Sequence, residues 1–201
     1  GAINRAGANS ELHVVDERIV GRMPAKLAFA EAAALPLTAI TAWELLFERL
    51  QARQGSADLG QSLLIVGAAG GVGSILVQLA RQLTGLTVIG TASRPETQAW
   101  VRQLGAHHVI DHRQPLSEEL KRIGINQVTH VASLTQTDQH YAQLVEALAP
   151  QGRLALIDDP EQPLDIMPLK RKSLSLHWEL MFTRSLFETA DMIEQHRLLD
   201  R

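Results

Sequence analysis

The chain contains no cysteine, and that closes three chemistries to it: disulfide cross-links, thiolate metal sites and cysteine nucleophiles. It has no long run of Lys and Arg either. Its 19 basic side chains face 22 acidic ones, for a formal net charge of -3, whereas binding along a phosphate backbone needs a basic face. The K-R-K at 170–172 is too short to supply one, so nucleic acid is not expected as a partner. No apolar run reaches the roughly 18–20 residues that a membrane span needs, and the opening G-A-I-N-R-A-G lacks the apolar stretch of a signal peptide. The expectation is a cytoplasmic chain with no membrane partner. The first residue is Gly1 and the last ones lie inside a charged helical pattern, which suggests a piece of a longer protein.

What is present is enough apolar residue for one substantial core: 45% of 201 residues are hydrophobic against 20% charged, the balance of a globular chain. Its pattern alternates between two periods. Residues 11–23 carry short β-branched runs before Pro24 and suggest strand or extended structure. From 28 to 53 the chain is rich in Ala and Leu and helical, interrupted at Pro36, with Thr38 placed to cap the second part. Strands follow at 62–67, 86–91, 107–111, 128–132 and 153–158, with helices at 71–83, 95–104, 116–123 and 137–148 between them. Strands joined by helices of this length imply right-handed crossovers, so the expected fold class is α/β, a doubly wound parallel sheet of Rossmann type.

The turn after the first strand carries the chemistry. In L-L-I-V-G-A-A-G-G-V-G-S-I-L-V-Q-L-A-R, residues 63–81, Ala68, Gly70 and Gly73 occupy the three positions of G-x-G-x-x-G, with alanine at the first. The second position lets a pyrophosphate approach the backbone, and the third lets helix and strand pack closely. The N–H groups of Gly71 and Val72, at the helix N-terminus, would face the phosphates. A tight turn with no ligand would read the same way, but the motif's place between strand and helix favours a dinucleotide.

The end of the second strand bears on which dinucleotide. A site for the unphosphorylated cofactor puts Asp or Glu about 20 residues past the glycines. Here the chain reads G-T-A-S-R-P-E-T, with Ser93 and Arg94 in that place. A hydroxyl and a guanidinium can bind a 2′-phosphate that a carboxylate would repel, which points to NADPH. The plainer reading makes Arg94 a solvated loop residue and Ser93 a helix cap before Pro95. The adjacent His107 and His108 would point to opposite faces of a strand and read as structural or solvated.

Four segments together, L-P-L-T-A-I-T-A-W-E, V-G-A-A-G-G-V-G-S-I-L-V-Q-L-A-R, L-G-A-H-H-V-I-D-H and L-A-P-Q-G-R-L-A-L-I, resemble the medium-chain dehydrogenases/reductases, in particular the NADPH-dependent quinone oxidoreductases and the zinc-type alcohol dehydrogenase-like proteins. The resemblance implies a cofactor domain excised from a two-domain reductase. Residues 1–23 would be a remnant of the preceding GroES-like catalytic domain and 24–201 the dinucleotide-binding domain, with the C-terminal return absent. It implies hydride transfer between NADP(H) and a quinone, aldehyde, alcohol or enone, and a small-molecule substrate reached through the missing domain.

Further residues follow from the resemblance alone. A zinc-ligand cysteine of zinc-bearing relatives falls on Leu37, which cannot coordinate, so catalytic zinc is not expected; no metal-ligand set and no catalytic residue is identified. Thr41 matches a threonine near the phosphates and the nicotinamide ribose, or is an ordinary helix hydroxyl. Thr97 and His112 stand where quinone oxidoreductases often have Lys and Tyr beside the 2′-phosphate, leaving Arg94 more of that role and His112 a stacking or pH-dependent one. Leu134, Met181 and Phe182 match residues lining the adenine and nicotinamide ends, or are core. A non-catalytic NADPH-binding module, sensing redox state or mediating assembly, stays open beside the enzyme.

The last strand reads as 174–182, with Leu174, Leu176, Trp178, Leu180 and Phe182 on one apolar face. Coming after a linker with Pro160, Pro163 and Pro168, it would form a sheet edge, and an open edge invites a second chain. Related reductases pair such edges, which implies a homodimer; the alternative covers the edge with a C-terminal helix at 185–199.

Overall fold

A computed structural model of the chain describes residues 2–5, 7 and 10–201. The four others belong to the expected 1–23 remnant and lie outside the described residues. Six strands, β1 (Ser62–Val66), β2 (Thr87–Thr91), β3 (His108–Ile110), β4 (Val128–Ser133), β5 (Leu148–Leu156) and β6 (Ser175–Trp178), form one sheet in the order β3-β2-β1-β4-β5-β6. Every neighbouring pair is parallel. The crossovers carry α3 (Gly71–Leu83), α4 (Pro95–Gln103), α5 (Leu116–Arg122) and α6 (Thr137–Ala147).

Strand β1 sits in the centre and every residue of it is buried, because alternate side chains feed two different cores. Leu63 and Ile65 join Leu76, Val77 and Ala80 of α3 on one face. Leu64 and Val66 join Leu116 and Leu120 of α5 and Tyr141 and Leu144 of α6 on the other. Each such leucine taken fully out of water contributes roughly 1.5–3 kcal/mol, which fixes the register. The chain winds from β1 outward to β2 and β3, then returns to place β4 on the other side of β1. Between β1 and β4 the winding reverses, and in sheets of this kind ligands bind outside the carboxyl ends of the strands at that point.

Several expected boundaries move. Residues 11–23 form no strand among the described residues; a 3-10 turn, Glu17–Ile19, buries Ile19 instead. The helix from 28 divides into α1 (Phe29–Ala33) and α2 (Leu35–Trp43), followed by a π-helix, Glu44–Arg49. Thr38 does not cap it: Pro36 lies in the first turn of α2, where a proline lacks no needed donor, and the Thr38 hydroxyl donates back to the Leu35 carbonyl at 3.0 Å. Strand β5 starts at Leu148, ahead of the expected 153, through a register shift opposite Val128 and His130.

The last strand stops at Trp178, short of 182, since Glu179 is drawn into the interior and the chain turns at Leu180–Thr183. After α7 (Met167–Lys170) and β6, the expected helix at 185–199 breaks into α8 (Thr183–Leu186) and α9 (Glu194–Leu199). The contacts of α9 run to α2 and the 17–19 turn. The helical stretch Phe29–Arg49, 21 residues with a turn at Ala34, is long and apolar enough by length and composition to cross a membrane, although no uninterrupted apolar run in it reaches that length. It packs on α3 and carries Glu44, Glu48 and Arg49 into ion pairs with the C-terminal segment, which ties its last turns into the fold.

Candidate functional site

At the carboxyl end of β1 the chain reverses through Gly67, whose φ of +81° is left-handed and costs little only for glycine. The turn residue is thus Gly67, one position before Ala68, which is fully buried. Gly70 N–H donates to the Gly67 carbonyl at 3.0 Å and closes the turn. Gly70 is the N-cap of α3, and the first helical bond runs from Ser74 N–H to the Gly70 carbonyl at 2.8 Å. The N–H groups of Gly71, Val72 and Gly73 therefore precede any intrahelical acceptor and form an anion-binding helix end.

The glycines are required by contact. A Cβ on Gly73 would fall 2.7 Å from Ala68 Cα, and closer still to the Gly67 carbonyl oxygen. One on Gly71 would lie 3.1 Å from Thr38 Cγ2, and one on Gly67 would lie 3.0 Å from Thr135 Cγ2 and 3.5 Å from Leu134 Cβ. The turn thus brings together the glycine loop, Leu134 at the end of β4, and Thr38 of α2. Thr38 carried no functional signal in the sequence. Gly90 was also missed: a Cβ there would lie 2.6 Å from Val101 Cγ1 and 2.9 Å from Ala68 Cβ, and a glycine inside a strand is the cue for such an approach.

A second corner lies at the ends of β2 and β3. Arg94, exposed, is the N-cap of α4 with Pro95 at the first helical position. Ser93 is not the cap; its carbonyl accepts from Arg113 Nη2 at 2.9 Å. Arg113 also binds Asp111 through Nε and Nη2, at 3.1 and 2.6 Å, and that pairing holds the Asp111 carboxyl below the usual carboxylate range. The ring of His112 meets that of His140 edge-on, with centroids 5.9 Å apart. His140 is buried, with no hydrogen-bond partner for its Nδ1 among the described residues; burial, then the neighbouring His112, lowers its basicity. His107 accepts from Val88 N–H through Nδ1 at 2.9 Å, so it serves the sheet.

The remaining expected residues are on α2 and after β6. Thr41 is buried and donates to the Leu37 carbonyl at 2.8 Å, as a helix hydroxyl does. Met181, buried, and Phe182, half-buried, follow β6, beyond β4 and β5 from the glycine turn. They adjoin a charged cluster. Arg184, only 7% exposed, pairs with Glu44 through Nη1 and with Glu48 at 2.8 Å and Asp191 at 2.9 Å through Nη2. Arg49 donates to Glu179 Oε2 at 2.8 Å, and the buried Glu179 carboxyl also meets that of Glu44. Burial first, then the Glu44 charge, pushes Glu179 up to about 8; burial raises Glu44 as well, against the pull of Arg184.

A family model of zinc-binding dehydrogenases matches residues 71–198. A zinc-type alcohol dehydrogenase-like protein of Staphylococcus aureus is 39% identical over all 201 residues, and the chain spans 60% of that relative's length. A solved structure of a candidate zinc-dependent alcohol dehydrogenase from Rhizobium etli is 59% identical, covers 100% of this chain and 58% of its own, and superposes with a TM-score of 0.93. The quinone oxidoreductase of Thermus thermophilus, also solved with NADPH, is 29% identical, covers 86% of this chain and 52% of its own, with a TM-score of 0.67.

Proposed function

We propose that this chain, which belongs to the zinc-binding dehydrogenase family within the medium-chain dehydrogenases/reductases, holds NADP(H) for hydride transfer to or from a quinone, an aldehyde or alcohol, or an enone. One observation carries the proposal: the glycine turn packs α3 so closely on β1 that Gly73 has no room for a Cβ, and it presents exposed Gly70 and Gly71 with the N–H groups of 71–73 at a helix N-terminus, the arrangement that takes a pyrophosphate. NADPH, when bound, supplies the hydride. The chain's part is to bind and orient: backbone N–H groups of 71–73 take the phosphates, Leu134 borders the turn, and Ser93 with Arg94 takes the 2′-phosphate. Met181, Phe182, Thr41 and His112 are assigned to the cofactor on the family resemblance.

The family's name does not carry zinc to these residues. Leu37, at the position of the relatives' cysteine ligand, offers no donor atom and is 52% exposed. Among the described residues no group of three or more His, Asp or Glu is placed to hold a metal. The proposal therefore assigns no step to zinc here, places the substrate pocket largely in a GroES-like domain preceding residue 24, and sets the protein in the cytoplasm as a homodimer joined at β6.

Calorimetry with NADPH and NADH tests the cofactor. Arg94→Ala is expected to weaken NADPH by about 10–100-fold, roughly 1.4–2.8 kcal/mol, and NADH little, because the 2′-phosphate is their only difference. Equal losses would give Arg94 a structural role. Oxidation of NADPH by the full-length protein with a quinone and aldehyde panel tests the chemistry; tight NADPH binding with no oxidation would select the non-catalytic binding module instead.

A further inference from the structure

Beyond Ser93 and Arg94, we propose that Arg113 is a second guanidinium that reads the 2′-phosphate. The proposal rests on the NADP(H) reading above and assigns a specificity residue to that same site. Three observations carry it.

The first is position. β2 and β3 are paired and end side by side, with Ala92 N–H donating to the Ile110 carbonyl at 3.0 Å. The loop 111–113 therefore opens beside Ser93, where an acidic residue would stand in a site for the unphosphorylated cofactor. Arg113 Nη2 lies 2.9 Å from the Ser93 carbonyl oxygen, so its guanidinium borders the residue whose hydroxyl is assigned to the phosphate.

The second is orientation. Asp111 accepts from the Arg113 backbone N–H at 3.0 Å as well as from Nε and Nη2. That grip holds one edge of the guanidinium and leaves Nη1 without a hydrogen-bond partner among the described residues. The Arg113 side chain is 63% exposed against 19% for Asp111, so the guanidinium stays anchored on its Asp111 edge while its other edge is open to share with a doubly charged phosphate. The planar fork suits a phosphate because two N–H groups can bind two oxygens at once.

The third is charge. A phosphate monoester carries close to two negative charges at neutral pH, and Arg94 supplies one positive charge. His112 sits next to Arg113 in sequence, but its ring is engaged edge-on with His140 of α6. Of the two neighbours, the guanidinium is the group that reaches Ser93.

The test measures dissociation constants of the full chain for 2′,5′-ADP and 5′-AMP, alongside NADPH and NADH, in Arg113→Ala, Arg113→Lys and Arg94→Ala. Arg113→Ala is expected to weaken 2′,5′-ADP and NADPH about 10-fold while 5′-AMP and NADH change less than about 2-fold. Arg113→Lys, keeping the charge and losing the fork, is expected to recover part of that loss. Unchanged melting of the ligand-free variants separates the effect from folding. Equal losses for phosphorylated and unphosphorylated ligands, or no loss, would overturn the assignment of Arg113. If Arg94→Ala is selective and Arg113→Ala is not, this inference fails and the cofactor reading stands. A wild-type chain that prefers 5′-AMP and NADH would overturn both.

Discussion

The β1–α3 turn and the corner after β6 both lie at the carboxyl ends of strands, yet they are built from opposite materials. The turn is neutral and almost without side chains; Gly67, Gly70, Gly71 and Gly73 bring backbone to backbone. The corner is a buried charge cluster in which Arg184 and Arg49 tie Glu44, Glu48, Glu179 and Asp191 together. The first leaves donors directed at an outside ligand, whereas the second spends nearly all of its donors and acceptors inside the protein. A ligand site and a structural clasp can thus be told apart by where the hydrogen bonds go.

The largest effect expected is at the clasp. Arg184→Met leaves Glu44 without its partner in the interior, and breaking a buried ion pair from one side costs about 3–5 kcal/mol. The raised pKa of Glu44 offers partial relief by protonation. The double variant Arg184→Met with Glu44→Leu should regain much of the loss, because an apolar replacement of the whole pair removes the stranded charge. Urea denaturation of the two variants checks this. A loss under about 1 kcal/mol in the single variant would place the cluster in solvent-like surroundings.

At the turn, Gly73→Ala is expected to cost about 1–3 kcal/mol, the usual range for overpacking, and to abolish measurable dinucleotide binding. The added Cβ would press α3 away from the β1 turn and shift the N–H groups at its start. The two readouts sharpen the comparison, since Arg184→Met should lower stability far more than it lowers affinity, and Gly73→Ala the reverse. Denaturation and calorimetry on the same samples decide it.

The difference in material also explains what was legible in the sequence. The turn could be read because its parts lie within seven residues, 67–73, and because strand, glycines and helix are each local signals. The parallel sheet was legible for the same reason, as was the edge position of the last strand. The clasp was not. Apart from Arg184–Asp191, its ion pairs join residues 130 to 140 positions apart, and no local pattern marks Glu44 in a helical run or Glu179 in an alternating strand as partners. Glu179 is what ends β6 at Trp178, so the misplaced strand end and the missed cluster have one cause. Arg113 was passed over similarly: its bond to Ser93 crosses from one strand end to the next. Ala68 stood at the first motif position, but the left-handed conformation belongs to Gly67, because the motif records spacing and not dihedral angles.

The clasp should also respond to pH where the turn does not. Glu179 is pushed up to about 8 in the folded chain by burial and by Glu44, against about 4.3 for an unperturbed glutamate. The folded state therefore holds a proton that the unfolded state has released between these values. Its stabilisation is complete below about pH 4 and is lost as pH rises through about 8, at a slope of at most about 1.4 kcal/mol per pH unit. Glu179→Gln should flatten that part of the profile, which denaturation at pH 5, 7 and 9 would show. A wild-type chain equally stable at pH 5 and 9 would mean that Glu179 is ionised throughout.

The smallest effect on stability is expected on the outer side of the same corner. Glu179 N–H donates to the Leu156 carbonyl of β5, so by the alternation of a strand the N–H and C=O of Trp178 face away from β5. Among the described residues β6 has no strand neighbour on that side, and α9 packs on α2 and the 17–19 turn. Trp178 and Leu180 are each half exposed there, and Ile166 and Met167 more so. The proposed dimer would cover these side chains and pair the open backbone groups. Trp178→Lys puts a charge on the edge, the means by which natural sheets block pairing, while its folded-state surroundings ask little of the side chain. Monomer stability should stay within about 0.5 kcal/mol, and light scattering should show a dimer become a monomer. A wild-type chain that is monomeric at every concentration, or a Trp178→Lys dimer as tight as wild type, would rule out association at β6.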